Sequence, residues 1–228
     1  MKVQALHPWK LSTDEARGIQ IKLASSVIRE YCGIKPRLIA GVDVSISRLS
    51  NYGRAAVTIL AYPSMDLIDI KVAEGEIVFP YIPGLLSFRE APLVLQAFRK
   101  LKYIPDIVIV DGQGIAHPRR MGIASHLGLF LNIPTIGCAK SRLIGTHDEV
   151  PFDAKAFSYL YSDGEIIGAV LRTRPGIKPL YISIGHKIDL SSATSYVTQC
   201  CHGFRLPEPT RLAHLAANDR LSNLSLKI

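Results

Sequence analysis

Residues 107–137 read IVIVDGQGIAHPRRMGIASHLGLFLNIPTIG, and the order of periods inside this stretch decides the fold. Ile107-Val108-Ile109-Val110 is a short, unbroken run of β-branched residues, the pattern of a strand buried on both faces. Asp111-Gly112 ends it, a glycine-bearing loop follows, and helical spacing is expected over about residues 120–131. A second short strand is expected over residues 133–137. Two strands joined by a helical crossover must pair in parallel, because a hairpin connection would be far shorter.

Upstream, Ala16, Ile19, Leu23 and Val27 recur at helical spacing within residues 12–31, and Ser12 with Glu15 forms a capping-box pattern. Pro36 breaks this periodicity. Extended runs follow at residues 38–45, 54–61 and 67–74, separated by Asn51-Tyr52-Gly53 and Pro63-Ser64, which predicts an antiparallel meander. Residues 79–84 are too rich in proline and glycine for either period, and a helix is expected over 87–101. Downstream, strands are expected at 166–172 and 180–184, and helices at 191–201 and 209–217, the last capped near Glu208. The sum is an α/β fold with one mixed sheet flanked by helices, spanning residues 1–228 as a single domain.

Composition narrows the class. Nearly half the chain is apolar, 20% is charged and no low-complexity tract occurs, which excludes a disordered or fibrous protein. Lys and Arg outnumber Asp and Glu by 27 to 19, a formal charge of +8 that draws the molecule toward polyanions such as nucleic acid. Cys32, Cys138, Cys200 and Cys201 show neither a CxxC pair nor disulfide spacing, so they read as packing residues in a reducing compartment. Neither an N-terminal signal pattern nor a membrane-length apolar run is visible, and a cytoplasmic protein is expected.

Two carboxylates stand in unusual places. Asp43 interrupts Ile39-Ala40-Gly41-Val42-Asp43-Val44-Ser45, and Asp111 ends the strand from Ile107. A charge at the heart of a sheet is costly unless it is paired or binds a cation, and ligands of α/β sheets gather at the carboxyl ends of parallel strands. Their competing readings are a solvated strand face and an Asp-Gly turn. Glu90, in Ser87-Phe88-Arg89-Glu90, fits an S-x-x-E helix cap equally well as a third acid. Three carboxylates without thiolates make a hard oxygen site, suited to Mg²⁺ or Mn²⁺ and to phosphoryl chemistry. Lys140, just after the second parallel strand, is placed to neutralise a phosphate, against an ordinary solvated lysine. The loop from Gly112 to Gly114, with His117, Arg119 and Arg120, could admit a nucleic-acid backbone. Tyr81 in Tyr81-Ile82-Pro83 could stack on a base, core packing being the alternative.

The combination Gly41-Val42-Asp43-Val44-Ser45, Pro80-Tyr81-Ile82-Pro83-Gly84 leading to Ser87-Phe88-Arg89-Glu90, Asp111-Gly112-Gln113-Gly114 with His117-Pro118-Arg119, and Ile136-Gly137-Cys138-Ala139-Lys140-Ser141 resembles the endonuclease V family. The resemblance spans nearly the whole chain in the right order. It implies a ribonuclease-H-like fold and a Mg²⁺-dependent repair enzyme, with Mn²⁺ able to substitute. Such an enzyme acts on deoxyinosine in DNA, with inosine-containing RNA as a further candidate partner, and the expected state is a monomer. Cleavage is expected at the second phosphodiester bond 3′ to the lesion, leaving a 3′-hydroxyl and a 5′-phosphate. By the same resemblance Asp43, Asp111 and Glu90 would hold the metal, Lys140 would support the scissile phosphate and His214 would join the catalytic group. Tyr81 would be the wedge, and Pro83, Gly84, Leu85, Gly112, His117 and Ile123 would contact the substrate or line a pocket for the everted base. Many relatives carry an aromatic where this chain has Leu85. The readings left beside this one are another ribonuclease-H-like nuclease without the base pocket, and a basic nucleic-acid binder without catalysis.

Overall fold

The computed structural model describes residues 1–31, 33–47 and 50–221. Eight strands form one sheet: β1 (Leu38–Ile46), β2 (Tyr52–Ala61), β3 (Leu67–Glu76), β4 (Ile107–Val110), β5 (Thr135–Ala139), β6 (Phe157–Ser162), β7 (Glu165–Leu171) and β8 (Leu180–His186). Their order across the sheet is β3-β2-β1-β4-β5-β8-β7-β6. The meander β1–β3 is antiparallel, β1, β4 and β5 are parallel, and β8, β7 and β6 return to antiparallel pairing. Five helices accompany them: α1 (Thr13–Ala24), α2 (Leu86–Arg99), α3 (Ile123–Leu131), α4 (Leu190–Gln199) and α5 (Glu208–Ala217).

The continuous apolar run of β4 explains why it sits in the middle. Val108 and Val110 face a core shared with α2 and α3, whereas Ile107 and Ile109 face one shared with α4 and α5. Each face removes roughly two branched side chains from water, about 3–6 kcal/mol per face by area. The chain leaves β1 toward β2 on one side and leaves β4 toward β5 on the other. Between them lies the switch point of the sheet, the place where α/β folds open a crevice at the strand ends.

Several boundaries differ from expectation for identifiable reasons. The capping box at Ser12 and Glu15 is present, but α1 stops at Ala24 rather than near Tyr31. Ser25 Oγ donates to the Lys22 carbonyl, and Ile28 gives its backbone groups to His186 and Lys187, so the chain there is tied to the sheet. Helix α3 starts at Ile123, not near Arg120, because Arg120 takes a left-handed φ of 53° and Gly122 lies against the backbone of Gln113. Helix α2 starts at Leu86 with no side-chain cap, so Ser87 does not serve the capping role its spacing suggested. Helix α5 begins at Glu208 behind Pro207, likewise without a side-chain cap. Strand β6 was not expected at all. Cys138 and Cys200 are buried and Cys201 partly so, all as free thiols, which agrees with packing roles; Cys32 lies outside the described residues. No helix among the described residues is long and apolar enough to cross a membrane.

The seating of α5 depends on one residue. A Cβ built on Gly41 would fall 2.0 Å from the Pro209 carbonyl carbon, so β1 and the start of α5 touch backbone to backbone. Thr58 Oγ1 secures the contact by donating to the Pro209 carbonyl at 2.9 Å. Gly41→Ala is therefore expected to push α5 off the sheet, costing on the order of 2 kcal/mol or more of overpacking strain and displacing His214. Thermal melting would check the first effect, and unchanged melting would remove the close approach from the account.

Candidate active site

Asp43 and Asp111 reach the same point from neighbouring parallel strands. Val42 pairs with Val110, and the Asp111 amide donates to the Val42 carbonyl at 3.1 Å, so the two acids follow one another in register at the carboxyl end of the β1–β4 pairing. Their side chains are only 11% and 15% exposed. Glu90 comes in from α2, close enough for both aspartates to act on it electrostatically. Burial first, then the charges of Asp43 and Asp111, lifts the Glu90 carboxyl to about 8. Burial first and Asp111 second lift Asp43 to about 6, against the opposing pull of His214 and Lys140.

Two cationic or proton-bearing groups meet these acids. Lys140, one residue beyond β5, forms an ion pair with Asp111 Oδ2. Burial works against the Lys140 ammonium, but Asp111 beside it more than offsets this and raises its proton affinity. His214 Nδ1 lies 2.8 Å from Asp43 Oδ2, brought there by the docking of α5 on β1. From Pro209 to His214 the helix climbs about 7.5 Å, and from Gly41 to Asp43 the strand advances about 6.7 Å, so parallel travel carries the histidine to the acid. Asn218 Nδ2 donates to the His214 carbonyl at 2.8 Å, and Ser45 Oγ donates to Asn218 Oδ1 at 3.0 Å.

Among the described residues, no group of three or more His, Cys, Asp or Glu side chains is arranged to hold a metal ion. Asp111 is turned to Lys140 and Asp43 to His214. The charge balance nevertheless fits a cation. The raised proton affinities of Glu90 and Asp43 mean that the protein neutralises these carboxylates incompletely. An oxygen donor set of this kind suits a hard divalent ion rather than zinc.

Beside the acids opens a cavity of about 360 Å³, lined by Tyr81, Gly84, Gly112, Ile123, Lys140 and Arg142 among others. That volume is adequate for a single base-sized ligand. Tyr81 is 70% exposed at its mouth, so the core-packing alternative for it does not hold. Pro83 also lines the cavity. Leu85 does not: it is fully buried against Phe79 and Phe88 beside Ala16 of α1, and its neighbour Leu86 faces the cavity instead. Gly112 is glycine because a Cβ there would lie 2.5 Å from Ile123 Cγ2.

His117 lines the cavity, but it is a buried clamp rather than a surface residue with a free ring. Burial drops its proton affinity to about 4, so it is neutral. Nε2 donates to the Gly84 carbonyl at 2.9 Å and Nδ1 accepts from the Arg119 amide at 3.1 Å. Arg119 donates to Gln20 Oε1 and to the same Gly84 carbonyl, and Arg120 is engaged by Glu165. These two arginines hold the loop together.

Gln20, Ser87, Gln113 and Arg142 also line the cavity and were not among the site residues read from the sequence. A signal for Gln20 existed. It stands four residues after Ala16, on the apolar stripe of α1, and a polar side chain there must find buried partners. It donates to the carbonyls of Gly84 and Met121, at 3.0 and 2.9 Å, fixing the cavity's two lips to α1.

The endonuclease V family model matches residues 21–215. An endonuclease V of Dehalococcoides mccartyi is 54% identical over 219 residues, covering 95% of this chain and 97% of its own. The crystal structure of the endonuclease V of Streptomyces avermitilis is 35% identical, with a TM-score of 0.89, covering 98% of this chain and 99% of that one. The endonuclease V of Ciona intestinalis, solved with a DNA containing an inosine followed by a ribo-adenosine, is 27% identical, with a TM-score of 0.80, covering 92% of this chain and 97% of that one.

Proposed function

Because this chain belongs to the endonuclease V family, a family of nucleases with a ribonuclease-H-like fold, we propose that it is a DNA repair endonuclease recognising deoxyinosine. It hydrolyses the second phosphodiester bond 3′ to the lesion, in a Mg²⁺-dependent reaction in which Mn²⁺ can substitute. The observation that carries this reading is the meeting of Asp43, Asp111 and Glu90 beside an open cavity of base size. The inosine-bearing DNA held by the Ciona relative supports the choice of substrate.

Asp43, Asp111 and Glu90 would hold the divalent ion, which supplies charge for the phosphate oxygens and the attacking water. The chain's own groups do the rest. Lys140 leaves Asp111 for a phosphate oxygen, where its charge offsets the negative charge that builds on the phosphorus group. With Nδ1 donating to Asp43, His214 presents Nε2 on a half-exposed ring, placed to take the proton of the attacking water. The water oxygen bonds to phosphorus as the bond from phosphorus to O3′ breaks, the departing oxygen takes up a proton from solvent water, and His214 returns the proton it took to solvent. The products are a 3′-hydroxyl and a 5′-phosphate. Tyr81, projecting at the cavity mouth, fills the stack while the damaged base occupies the cavity.

The test is a labelled duplex with one deoxyinosine, incubated with Mg²⁺ or with EDTA beside an undamaged control, with the product mapped on a gel. A metal-dependent nick at the second bond 3′ to the lesion is expected. Equal cutting of both duplexes would remove the lesion pocket, and no cutting with either Mg²⁺ or Mn²⁺ would remove the enzyme. Tyr81→Ala is expected to weaken lesion binding by about 5- to 100-fold, the worth of one aromatic stacked on a base. Titration of the inosine duplex in EDTA measures it, and unchanged affinity would discard the wedge.

A further inference from the structure

Three side chains run in a hydrogen-bonded line from the cavity wall to the N-terminal segment. Ser87 Oγ lies 3.0 Å from His126 Nδ1, and His126 Nε2 lies 2.8 Å from His7 Nε2. His7 Nδ1 lies 2.7 Å from the Pro8 carbonyl. His126 is fully buried, and Trp9, Phe88 and Phe130 surround the pair of rings.

The carbonyl at one end fixes every proton in the line. A carbonyl oxygen only accepts, so His7 Nδ1 carries a proton. Burial lowers the proton affinity of both histidines, His126 to about 3, so each ring is neutral and has one N–H. His7 Nε2 is then an acceptor, and His126 Nε2–H donates to it. That leaves His126 Nδ1 as an acceptor, and the Ser87 hydroxyl must donate to it. The Ser87 proton therefore points away from the cavity and its oxygen remains as an acceptor. Gln113 is polarised the same way. Its Nε2 donates to the Ser141 carbonyl at 2.9 Å, while its buried Oε1 has no hydrogen-bond partner among the described residues.

We propose that this cavity selects a base with a ring N–H, read by Ser87 Oγ as an acceptor, and that His126 and His7 are positioning residues that hold the hydroxyl in that state. The inference rests on the lesion-endonuclease reading and deepens it. Deamination changes two edges of adenine: the exocyclic donor becomes a carbonyl, and ring N1 changes from acceptor to donor. An acceptor fixed at the cavity wall rewards the second change and leaves an unmodified adenine N1 facing a lone pair.

The test compares duplexes carrying deoxyinosine with duplexes carrying deoxynebularine, a purine with no N1 proton, using the full chain. Wild-type protein is expected to prefer inosine in kcat/KM. Ser87→Ala is expected to cut this preference about tenfold by slowing inosine cleavage with little change on nebularine, while Ser87→Thr keeps it. His7→Leu is expected to reduce the preference several-fold. His7→Gln, whose amide oxygen can accept from His126 Nε2–H as the ring nitrogen does, restores it, an outcome that a purely structural role for His7 would not produce. Wild-type preference that survives Ser87→Ala overturns this inference alone, as does a His7→Leu protein that slows on both duplexes equally. A wild-type protein that cuts both duplexes equally overturns this inference alone, and one that cuts neither overturns the lesion-endonuclease reading and this inference with it.

Discussion

Asp43→Ala and Asp111→Ala are each expected to lower cleavage of an inosine duplex by about a thousandfold or more, with lesion binding retained. Both acids stand one residue past the last β1–β4 pair, Val42 with Val110. Each also controls a neighbour. Without Asp111 the Lys140 ammonium loses its ion-pair partner, and without Asp43 the His214 ring loses the acceptor that orients Nδ1. Losses of this size are typical when a group acting on the charge of the transition state is removed. Folding should survive, because each change removes a partly buried charge that repels Glu90. Binding should survive too, since of the three carboxylates only Asp111 lines the cavity, and Tyr81 and the rest of the wall are unchanged. Single-turnover cleavage with Mg²⁺ and duplex titration in EDTA separate the two effects. Near-normal cleavage by either variant would take that carboxylate out of the mechanism.

The legible parts of this molecule were those in which one local pattern had one outcome. The β4 run, all buried and all β-branched, could only be a central strand, and the helix that follows it forced β5 into parallel pairing. The meander was readable from its spacing. Strand β6 was not, because its alternation is inverted: Phe157, Tyr159 and Tyr161 are the more exposed residues, while Leu160 faces a small core with Ile167 and Val170. An edge strand with aromatics outward carries no signal of which face is buried. Leu85 was misplaced, since it sits in a loop whose folding depends on Gln20, far away in sequence on α1. Asp43 and Asp111 stood out because a charge in an apolar strand conflicts with its surroundings, and such conflicts mark functional positions.

The same logic explains why the acids sit where they do. Asp43 lies inside β1, one residue past the last β1–β4 pair at Val42 and Val110, where the parallel pairing with β4 has ended. At the switch point Lys140 from just beyond β5, His214 from α5 and Glu90 from α2 come to the two aspartates. The residues that admit those elements are small. Gly41 lets α5 lie against β1, and Gly137 lets the Gly112–Gly114 loop lie against β5. The chemistry is thus placed by close backbone approaches as much as by the acids themselves.

Glu90→Gln should make the metal-free protein more stable at pH 8 while removing most of its cleavage activity. The Glu90 carboxyl titrates near 8 in the folded protein against 4.5 for an ordinary glutamate. Between those values the folded chain holds a proton that the unfolded chain has released, so wild-type stability falls as pH rises through this window and levels off above about 8. Gln mimics the protonated acid at every pH and escapes the loss. The difference is expected to be negligible below pH 4.5 and on the order of 2–4 kcal/mol at pH 8, since each tenfold change in proton affinity corresponds to about 1.4 kcal/mol. For a chain of this length that corresponds to a gain of about 5–10 °C in Tm. Melting curves of both proteins in EDTA across pH 4.5 to 8 measure it. Mg²⁺ or Mn²⁺ should then raise the wild-type Tm more than that of the variant, because a bound cation relieves the repulsion that Gln has already removed. A variant that melts at or below the wild type at pH 8 would mean that Glu90 is compensated by contacts other than a cation, and that the three carboxylates are not held in mutual repulsion.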